Sequence, residues 1–226
     1  EAYLGPKKYK PESQGHKDEV GVVNGLAWTS VGGEMLKVEA VKMPGTGKLE
    51  LTGSLGDVMK ESARTAYSYI RSISEALPLD MDFYKNTDIH IHFPEGAVPK
   101  DGPSAGIAIT TAVVSALTGI PARADIAMTG EVTLTGNVLP IGGLKEKTMA
   151  AYRNGIKTVL IPEENVSDLK EIDDAVKENV EFISVSKADE VLSLALSKNV
   201  VVKDNKQRSI KLKQDRSQTA SACQQN

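Results

Sequence analysis

Two short motifs contain side chains that could perform nucleophilic chemistry. The first, Pro-Lys-Asp-Gly-Pro-Ser-Ala-Gly at residues 99–106, carries Ser104, and the second, Ile-Gly-Gly-Leu-Lys-Glu-Lys at residues 141–147, ends at Lys147. A serine hydroxyl is a weak nucleophile at neutral pH and needs a base to accept its proton. The motifs therefore predict a hydrolytic site in which a serine attacks and a neighbouring base activates it.

Ser104 is predicted to lie at the start of a helix. Gly102 and Pro103 interrupt regular structure, and residues 105–117 form a run of helix formers that ends near Gly119. The free N–H groups and positive dipole at a helix N-terminus can stabilise an oxyanion. This position therefore suits a nucleophile.

Histidine is the first base to consider. Residues 102–106 match the G-x-S-x-G pattern, but the hydrolases with that pattern carry their histidine after the serine, and all histidines here precede Ser104. A His–Asp–Ser order through His90 or His92 and Asp101 stays open. Asp101, only three residues from Ser104, would have to fold back to orient an imidazole.

Lysine can replace histidine when burial lowers its pKa toward neutrality and a helix N-terminus adds to the effect. The glycines at 142–143 predict a helix start, and Lys147 shares a helix face with Leu144 and Ala151. Lys145 points elsewhere and is expected to be solvated. Because a helical lysine is nearly always an exposed charge, the spacing alone does not decide which base is used.

Longer stretches resemble the proteolytic domain of Lon, the ATP-dependent protease. The motif at residues 99–106 carries this resemblance together with Met-Thr-Gly-Glu-Val-Thr-Leu-Thr-Gly-Asn-Val-Leu-Pro-Ile-Gly-Gly-Leu-Lys-Glu-Lys at residues 128–147. Three further segments share it: residues 20–28, 53–62 and 89–97. The similarity extends from about Asp18 to Leu196.

The resemblance implies roles for three side chains. Ser104 would be the nucleophile and Lys147 the general base and later the general acid, as members of a Ser–Lys dyad. Thr129 of the Met-Thr-Gly-Glu motif would hydrogen-bond Lys147 and orient it. An ordinary strand threonine is the alternative for Thr129, since β-branched residues favour strands.

Two carboxylates are candidates for supporting roles. Asp101 is close enough to Ser104 to hold the serine loop through backbone N–H bonds, and Glu39, in a strand-like run at residues 36–41, is a candidate to line the site. A solvated side chain is an equal alternative for each.

Alternation along residues 88–93 places His90 and His92 on one face of a strand. Such a pair could suit a metal ion. No third ligand is apparent at this spacing, the single cysteine is remote at Cys223, and the Lon family needs no active-site zinc. We therefore expect structural hydrogen bonding by both histidines, and no metal or cofactor in this domain.

Residues 44–48, Pro-Gly-Thr-Gly-Lys, superficially resemble a nucleotide-binding loop. Lys42 stands in place of the first glycine of a Walker A motif and Leu49 follows the lysine, so the motif is absent. The segment predicts a hairpin turn between strands at 35–43 and 48–52. ATP and Mg²⁺ are implied by the resemblance only for an ATPase module outside this chain.

Composition is that of an ordinary globular protein. The 226 residues are 40% hydrophobic and 25% charged, with one cysteine and a formal charge of −3. No apolar stretch approaches a membrane span, so no membrane association is expected. The charge balance and the lack of a basic patch interleaved with aromatics argue against nucleic acid as the main ligand.

Apolar patterning predicts an α+β fold, with mixed sheets packed against helices in a single Lon-protease-type domain. Strands are predicted at residues 20–29, 35–43, 48–52, 88–93, 132–139, 158–161 and 180–184. Helices are predicted at residues 57–77 with Asp57 as the cap, 105–117, 143–152, 163–177 and 188–196.

Three regions are expected along the chain. Residues 1–17 resemble a linker from a missing ATPase module, residues 18–200 form the Lon-type proteolytic domain, and residues 201–226 form a disordered polar and basic tail. The resemblance further implies a homo-oligomeric, hexameric ring, unfolded polypeptide substrates and a bacterial cytoplasmic location.

Two other interpretations remain open. One is a non-catalytic Lon-like domain that serves as an oligomeric scaffold or a DNA-contacting surface, as in a bacterial repair protein. The other is a dormant conformer of a genuine protease, in which the dyad is encoded but misaligned.

Overall fold

Nine β-strands and six α-helices alternate irregularly in the computed structural model, which describes residues 17–29, 32–80, 82–94 and 98–198. The strands are β1 (Val22–Thr29), β2 (Gly32–Pro44), β3 (Leu49–Thr52), β4 (Thr87–His92), β5 (Ile126–Met128), β6 (Glu131–Val132), β7 (Val138–Leu139), β8 (Thr158–Pro162) and β9 (Glu181–Val185). The helices are α1 (Asp57–Ser72), α2 (Phe83–Asn86), α3 (Gly106–Thr118), α4 (Leu144–Arg153), α5 (Asp174–Lys177) and α6 (Ala188–Ala195). Short 3₁₀ segments occur at Ser74–Ala76, Pro103–Ala105 and Glu163–Glu171. The α+β fold class is confirmed.

The expected linker and tail lie outside the described residues, apart from Lys17. Within the described part of the chain, no helix is long and apolar enough to cross a membrane.

One mixed sheet contains seven of the strands, in the order β3-β4-β2-β1-β5-β8-β9. Strand β2 is antiparallel to β1 and β4, whereas the other neighbours run parallel. Strands β6 and β7 form a separate antiparallel pair. The sequence predicted 132–139 as one strand, but residues 133–137 form the turn of this hairpin.

The predicted hairpin between β2 and β3 is wrong, because β4 lies between these two strands. The turn that joins them wraps around the start of β4. There the Asp88 carboxylate accepts the backbone N–H groups of Thr46 at 2.7 Å and Lys48 at 2.8 Å. These bonds hold the pKa of Asp88 below its ordinary value, since they stabilise the carboxylate.

Helix α3 lies at the centre of the core. Residues 106–117 are all buried, because α3 packs between the sheet and the helices α1 and α6. A helix that is apolar on all sides is stable only when it is surrounded in this way. Ser104, two residues before α3, is consequently anchored to a fully buried element of the core.

Helix α4 covers the opposite face of the sheet. Its residues Leu144 and Ala151 form a second apolar cluster with Leu26 of β1, Ala127 of β5 and Val159 of β8. This second layer is the element that carries Lys147.

The predicted helix at 57–77 is shorter than expected and is capped differently. It ends at Ser72, and Gly56, rather than Asp57, occupies the cap position without a side-chain cap bond. Instead, the Asp101 carboxylate accepts the N–H of Met59, the third helical residue, at 2.9 Å. The cap therefore comes from a distant part of the chain.

The predicted helix at 163–177 is also wrong in form. The segment is a 3₁₀ stretch at Glu163–Glu171 and the short helix α5, with Ile172 in extended conformation between them. The apolar residues at 166, 169 and 172 recur every three positions, which is the period of a 3₁₀ helix. Strand β5 has no sequence signal, because its three buried residues are too few to show a pattern.

Candidate active site

A cleft of about 1280 Å³ contains both predicted dyad residues in its lining. Most of its lining comes from three parts of the chain: the adjoining ends of β1 and β2, the loop that precedes α3, and the segment from residue 140 into α4. The site cannot be recognised as one unit from the linear sequence, since its walls come from regions more than 100 residues apart.

Ser104 lies in the 3₁₀ turn at Pro103–Ala105 that leads directly into α3. Its main chain is held firmly, because the Ser104 carbonyl accepts the N–H of Gly130 at 2.8 Å. Gly102, just before the turn, has φ 127° and ψ 154°, a conformation that favours glycine. The Gly-Pro pair thus turns the chain so that the half-buried serine faces the cleft.

Lys147 lies on the inner face of α4. Its side chain is only 3% exposed, and its Nζ donates a hydrogen bond to Thr129 Oγ1 at 3.1 Å. Burial lowers the pKa of Lys147 from 10.5 to about 8, because the ammonium is poorly solvated there. Among the described residues no carboxylate forms an ion pair with it that would oppose this shift.

Thr129 connects the two candidate dyad residues. It is fully buried, and its hydroxyl donates to the Ser104 carbonyl at 3.4 Å. Because the hydroxyl hydrogen is directed there, Oγ1 is available to accept from Lys147. Within the described residues, Lys147 makes no hydrogen bond to the Ser104 hydroxyl, so the amine is held beside the serine through Thr129.

Asp101 fastens the serine loop to α1. Its carboxylate accepts the N–H of Gly102 at 3.0 Å as well as that of Met59. The neighbouring backbone adds a bond from the Gly56 N–H to the Lys100 carbonyl at 2.8 Å. A side chain at Gly56 would collide with Asp101, since its Cβ would lie 2.3 Å from the Asp101 Cγ.

The two histidines do not belong to this cleft. His90 Nε2 and His92 Nδ1 both contact Thr52 Oγ1, at 2.8 and 2.7 Å. Glu39 lies opposite His92 in the β2–β4 ladder and is not among the residues that line the cleft. In the described ranges, no three His, Cys, Asp or Glu residues are grouped to hold a metal ion.

Lys145, predicted to be solvated, is exposed and pairs with Asp173 at 3.7 Å. The two lysines of Leu-Lys-Glu-Lys therefore occupy opposite environments, one in water and one buried against Thr129.

Comparison with known proteins places these residues in a family. The model of the Lon protease (S16) C-terminal proteolytic domain matches residues 1–198. The chain belongs to the Lon protease family. It is 57% identical over 196 residues to the Lon protease of Chloroflexus aggregans, covering 87% of this chain and 24% of that protein. It is 60% identical over 194 residues to the Lon protease of Brucella abortus, covering 86% of the chain and 24% of the relative.

This Lon proteolytic domain is similarly related to the Lon protease of Solibacter usitatus, with 56% identity over 198 residues that cover 88% of the chain and 25% of the relative. The chain thus spans about a quarter of the length of the curated relatives it matches. The predicted relationship to the proteolytic domain of Lon is confirmed, and the domain is of the Lon peptidase type.

Sequence reasoning missed several residues of the Lon-type cleft. Gly33 lets β2 approach α4, because a Cβ there would lie 1.8 Å from the Glu146 carbonyl oxygen. Trp28, opposite Gly33 in the β1–β2 ladder, is 59% exposed and lies against Gly143. The Gly-Gly pair at 32–33 was the available signal for this close approach.

Proposed function

We propose that this Lon proteolytic domain is a serine endopeptidase in which Ser104 is the nucleophile and Lys147 the general base. The observation that carries this proposal is the burial of Lys147 in the cleft that Ser104 lines, without an ion pair to any described carboxylate and with a pKa lowered to about 8. A lysine with such a pKa is largely protonated at neutrality but has a usable neutral fraction.

The reaction begins with neutral Lys147, which accepts the Ser104 proton as the hydroxyl oxygen attacks a peptide carbonyl. Backbone N–H groups near the start of α3 bind the oxyanion, and Pro103 cannot be one of the donors. The resulting ammonium then protonates the leaving amine and releases it. A water molecule, deprotonated by Lys147, hydrolyses the acyl-enzyme and restores Ser104.

Thr129 serves this cycle as an orienting residue. Its oxygen accepts an N–H of Lys147 in either protonation state, while its own hydrogen is directed to the Ser104 carbonyl. The lone pair of the neutral amine is then left for the serine proton. Proton transfer requires the serine hydroxyl to come within direct hydrogen-bond reach of Nζ.

For the whole protein, we propose unfolded polypeptides as substrates and a homo-oligomeric ring of six chains. ATP and Mg²⁺ act at an ATPase module outside this chain, and no cofactor is required in the proteolytic domain itself. From the family membership we also propose a cytoplasmic location for the whole protein, and from the charge balance we propose no nucleic-acid ligand for the proteolytic domain.

Covalent labelling tests the dyad. The chain is incubated with a serine-reactive β-lactone, and its intact mass is recorded together with those of the S104A, K147A and H90Q/H92N variants. We expect one adduct on the unaltered chain and on H90Q/H92N, and none on S104A or K147A. An adduct that needs a histidine but not Lys147 would overturn the assignment.

Absence of any adduct, both on this chain and on the full-length protein with its ATPase module, would support a non-catalytic scaffold. An adduct on the full-length protein alone would indicate that the isolated domain is dormant.

A further inference from the structure

Asn165 makes an unusual set of contacts for an asparagine outside a strand. It lies near the start of the 3₁₀ segment Glu163–Glu171 and is 4% exposed. Its Oδ1 accepts the backbone N–H of Ile141 at 2.9 Å, and its Nδ2 donates to the Ile141 carbonyl at 2.9 Å. One side-chain amide thus satisfies both main-chain groups of a residue 24 positions earlier, as a neighbouring strand would.

Asp168 fixes the orientation of this amide. The Asn165 Nδ2 also donates to Asp168 Oδ2 at 2.7 Å. Because a carboxylate only accepts, the nitrogen must face Asp168 and the oxygen must face the Ile141 N–H. The arrangement cannot be reversed without leaving buried polar groups unsatisfied.

Ile141 belongs to the segment at residues 140–143, which joins β7 to α4 and forms one wall of the cleft. The segment has no regular strand partner among the described residues. The segment ends at Gly143, which occupies the cap position of α4 with φ 70°. The Gly143 carbonyl accepts the backbone N–H of Lys147 at 3.1 Å. The position of Lys147 therefore depends on how residues 140–143 are held.

We propose that Asn165 is a positioning residue for the Lys147 base: its amide locks Ile141 and so sets the start of α4 and the wall of the cleft. This inference rests on the function proposed for Ser104 and Lys147. Among the described residues, Asn165 makes no side-chain hydrogen bond to Ser104 or Lys147 and acts through the 140–143 segment.

The decisive variants change charge and polarity at nearly constant volume. N165D keeps an acceptor for the Ile141 N–H but places a second carboxylate oxygen against the Ile141 carbonyl and Asp168. In D168N, the side-chain amide oxygen at position 168 can still accept a hydrogen bond from Asn165 Nδ2. In N165D/D168N, the new amide donates to the new carboxylate, so the repulsion between residues 165 and 168 is removed.

The readout is the rate of β-lactone labelling, separated into the maximal rate and the half-saturating concentration, and measured from about pH 6 to pH 10. For N165D we expect the maximal rate to fall about tenfold or more, because a base displaced by a fraction of an ångström transfers protons poorly. The half-saturating concentration should change less than the rate, and the midpoint of the pH profile should rise as water enters around Lys147.

D168N, which weakens the bond that orients Asn165, should label more slowly than the unaltered chain but faster than N165D, and the double variant should recover at least part of the N165D loss. N165A, which adds no charge, should show the same loss in maximal rate and covers the case in which N165D does not fold. The matched control is N179D, since Asn179 is an exposed asparagine whose side chain donates to the Ala175 carbonyl of its own helical turn.

Unchanged maximal rate and pH midpoint in folded N165A would overturn the inference, as would equal losses for N165D and N165D/D168N. The proposed function fails separately: in that case the unaltered chain itself shows no labelling that depends on Ser104 and Lys147.

Discussion

The carboxylate of Asp101 accepts the backbone N–H of Met59 at 2.9 Å, across 42 residues of sequence. It thereby caps α1, whose own first residues provide no side-chain cap bond. The same carboxylate accepts the N–H of Gly102, two residues before the nucleophile. One side chain therefore stabilises a helix end and the serine loop together, so stability and reactivity should be coupled at this position.

Replacing Asp101 by alanine should lower the free energy of unfolding by about 1 kcal/mol through loss of the helix cap. The serine loop should loosen as well, and β-lactone labelling should slow by about tenfold. Urea denaturation and intact-mass kinetics measure the two effects. D57A is the matched control, since Asp57 is exposed on the first turn of α1 and forms only a surface pair with Lys60. Equal effects of D101A and D57A on both measurements would contradict the coupling.

Labelling of Ser104 should rise with pH through the pKa of Lys147, about 8. The reason is that only the neutral amine accepts the serine proton, and the neutral fraction grows as pH exceeds that pKa. Initial labelling rates at a series of pH values give the midpoint. A rate that is already maximal near pH 6 would point to a different base.

The same pKa predicts a stability effect. Since the folded pKa of about 8 lies below the ordinary value of 10.5, the folded chain binds fewer protons than the unfolded chain between these two pH values. Stability should therefore rise with pH across this window and carry the full cost of the buried charge below it.

Replacing Lys147 by methionine should consequently abolish labelling while raising the free energy of unfolding by about 2 kcal/mol at neutral pH. The gain should disappear only above pH 10.5, where the unfolded lysine also loses its proton. K145M is the control, because Lys145 is exposed on the same helix and should give a small, pH-independent change. Urea denaturation at neutral pH and at the higher pH measures the free energy of unfolding of both variants and the parent. If K147M were less stable than the parent at neutral pH, the buried ammonium would not be destabilising.

Replacing Thr129 by valine removes the acceptor of Lys147 and the donor to Ser104 at almost constant volume. Labelling should slow by about tenfold to a hundredfold, and the pH midpoint should fall, because the ammonium loses a hydrogen bond that stabilises it. T129S keeps the hydroxyl and should retain most of the rate. T111V is the control, since Thr111 is equally buried but donates to Ile107 within α3. Equal rates for T129V and T129S would exclude the orienting role.

Replacing Gly33 by alanine should destabilise the fold by about 3 kcal/mol, because the new methyl group would overlap the Glu146 carbonyl oxygen and push β2 away from α4. G142A is the comparison for stability, since nothing lies within 4 Å of a Cβ at Gly142. Thermal melts of both variants measure the difference. A melting temperature for G33A as high as that for G142A would show that β2 and α4 separate without cost.

The elements that sequence patterns predicted well are those with long or strongly marked apolar runs. The buried helix α3 and the amphipathic helix α4 lie where expected, because glycine and proline mark their ends and their apolar residues follow helical spacing. The 3₁₀ segment at Glu163–Glu171 was mistaken for an α-helix, since a few apolar residues three apart suit both periods.

The errors in topology have a different origin. The β2–β3 hairpin was inferred from a local glycine-rich turn, whereas the Asp88 carboxylate holds that turn and β4 pairs with both strands. The cap of α1 was assigned to Asp57, but Asp101 provides the bond. In each case a side chain remote in sequence satisfied backbone groups that local patterns assign to a neighbour.

The linear chain by itself determined the identity of the candidate chemistry: a serine at a helix start, a lysine after a glycine pair, and motifs long enough to reveal the family. Helical spacing predicted that Lys147 and Lys145 point to different sides of the helix, but it could not show what covers either side chain, so the burial of Lys147 and its lowered pKa were not readable from the chain. The tertiary structure decided this by packing α4 against the sheet, which buries Lys147 beside Thr129 and leaves Lys145 in solvent. Desolvation, which lowers the pKa of a lysine, exists only once the chain has folded around it.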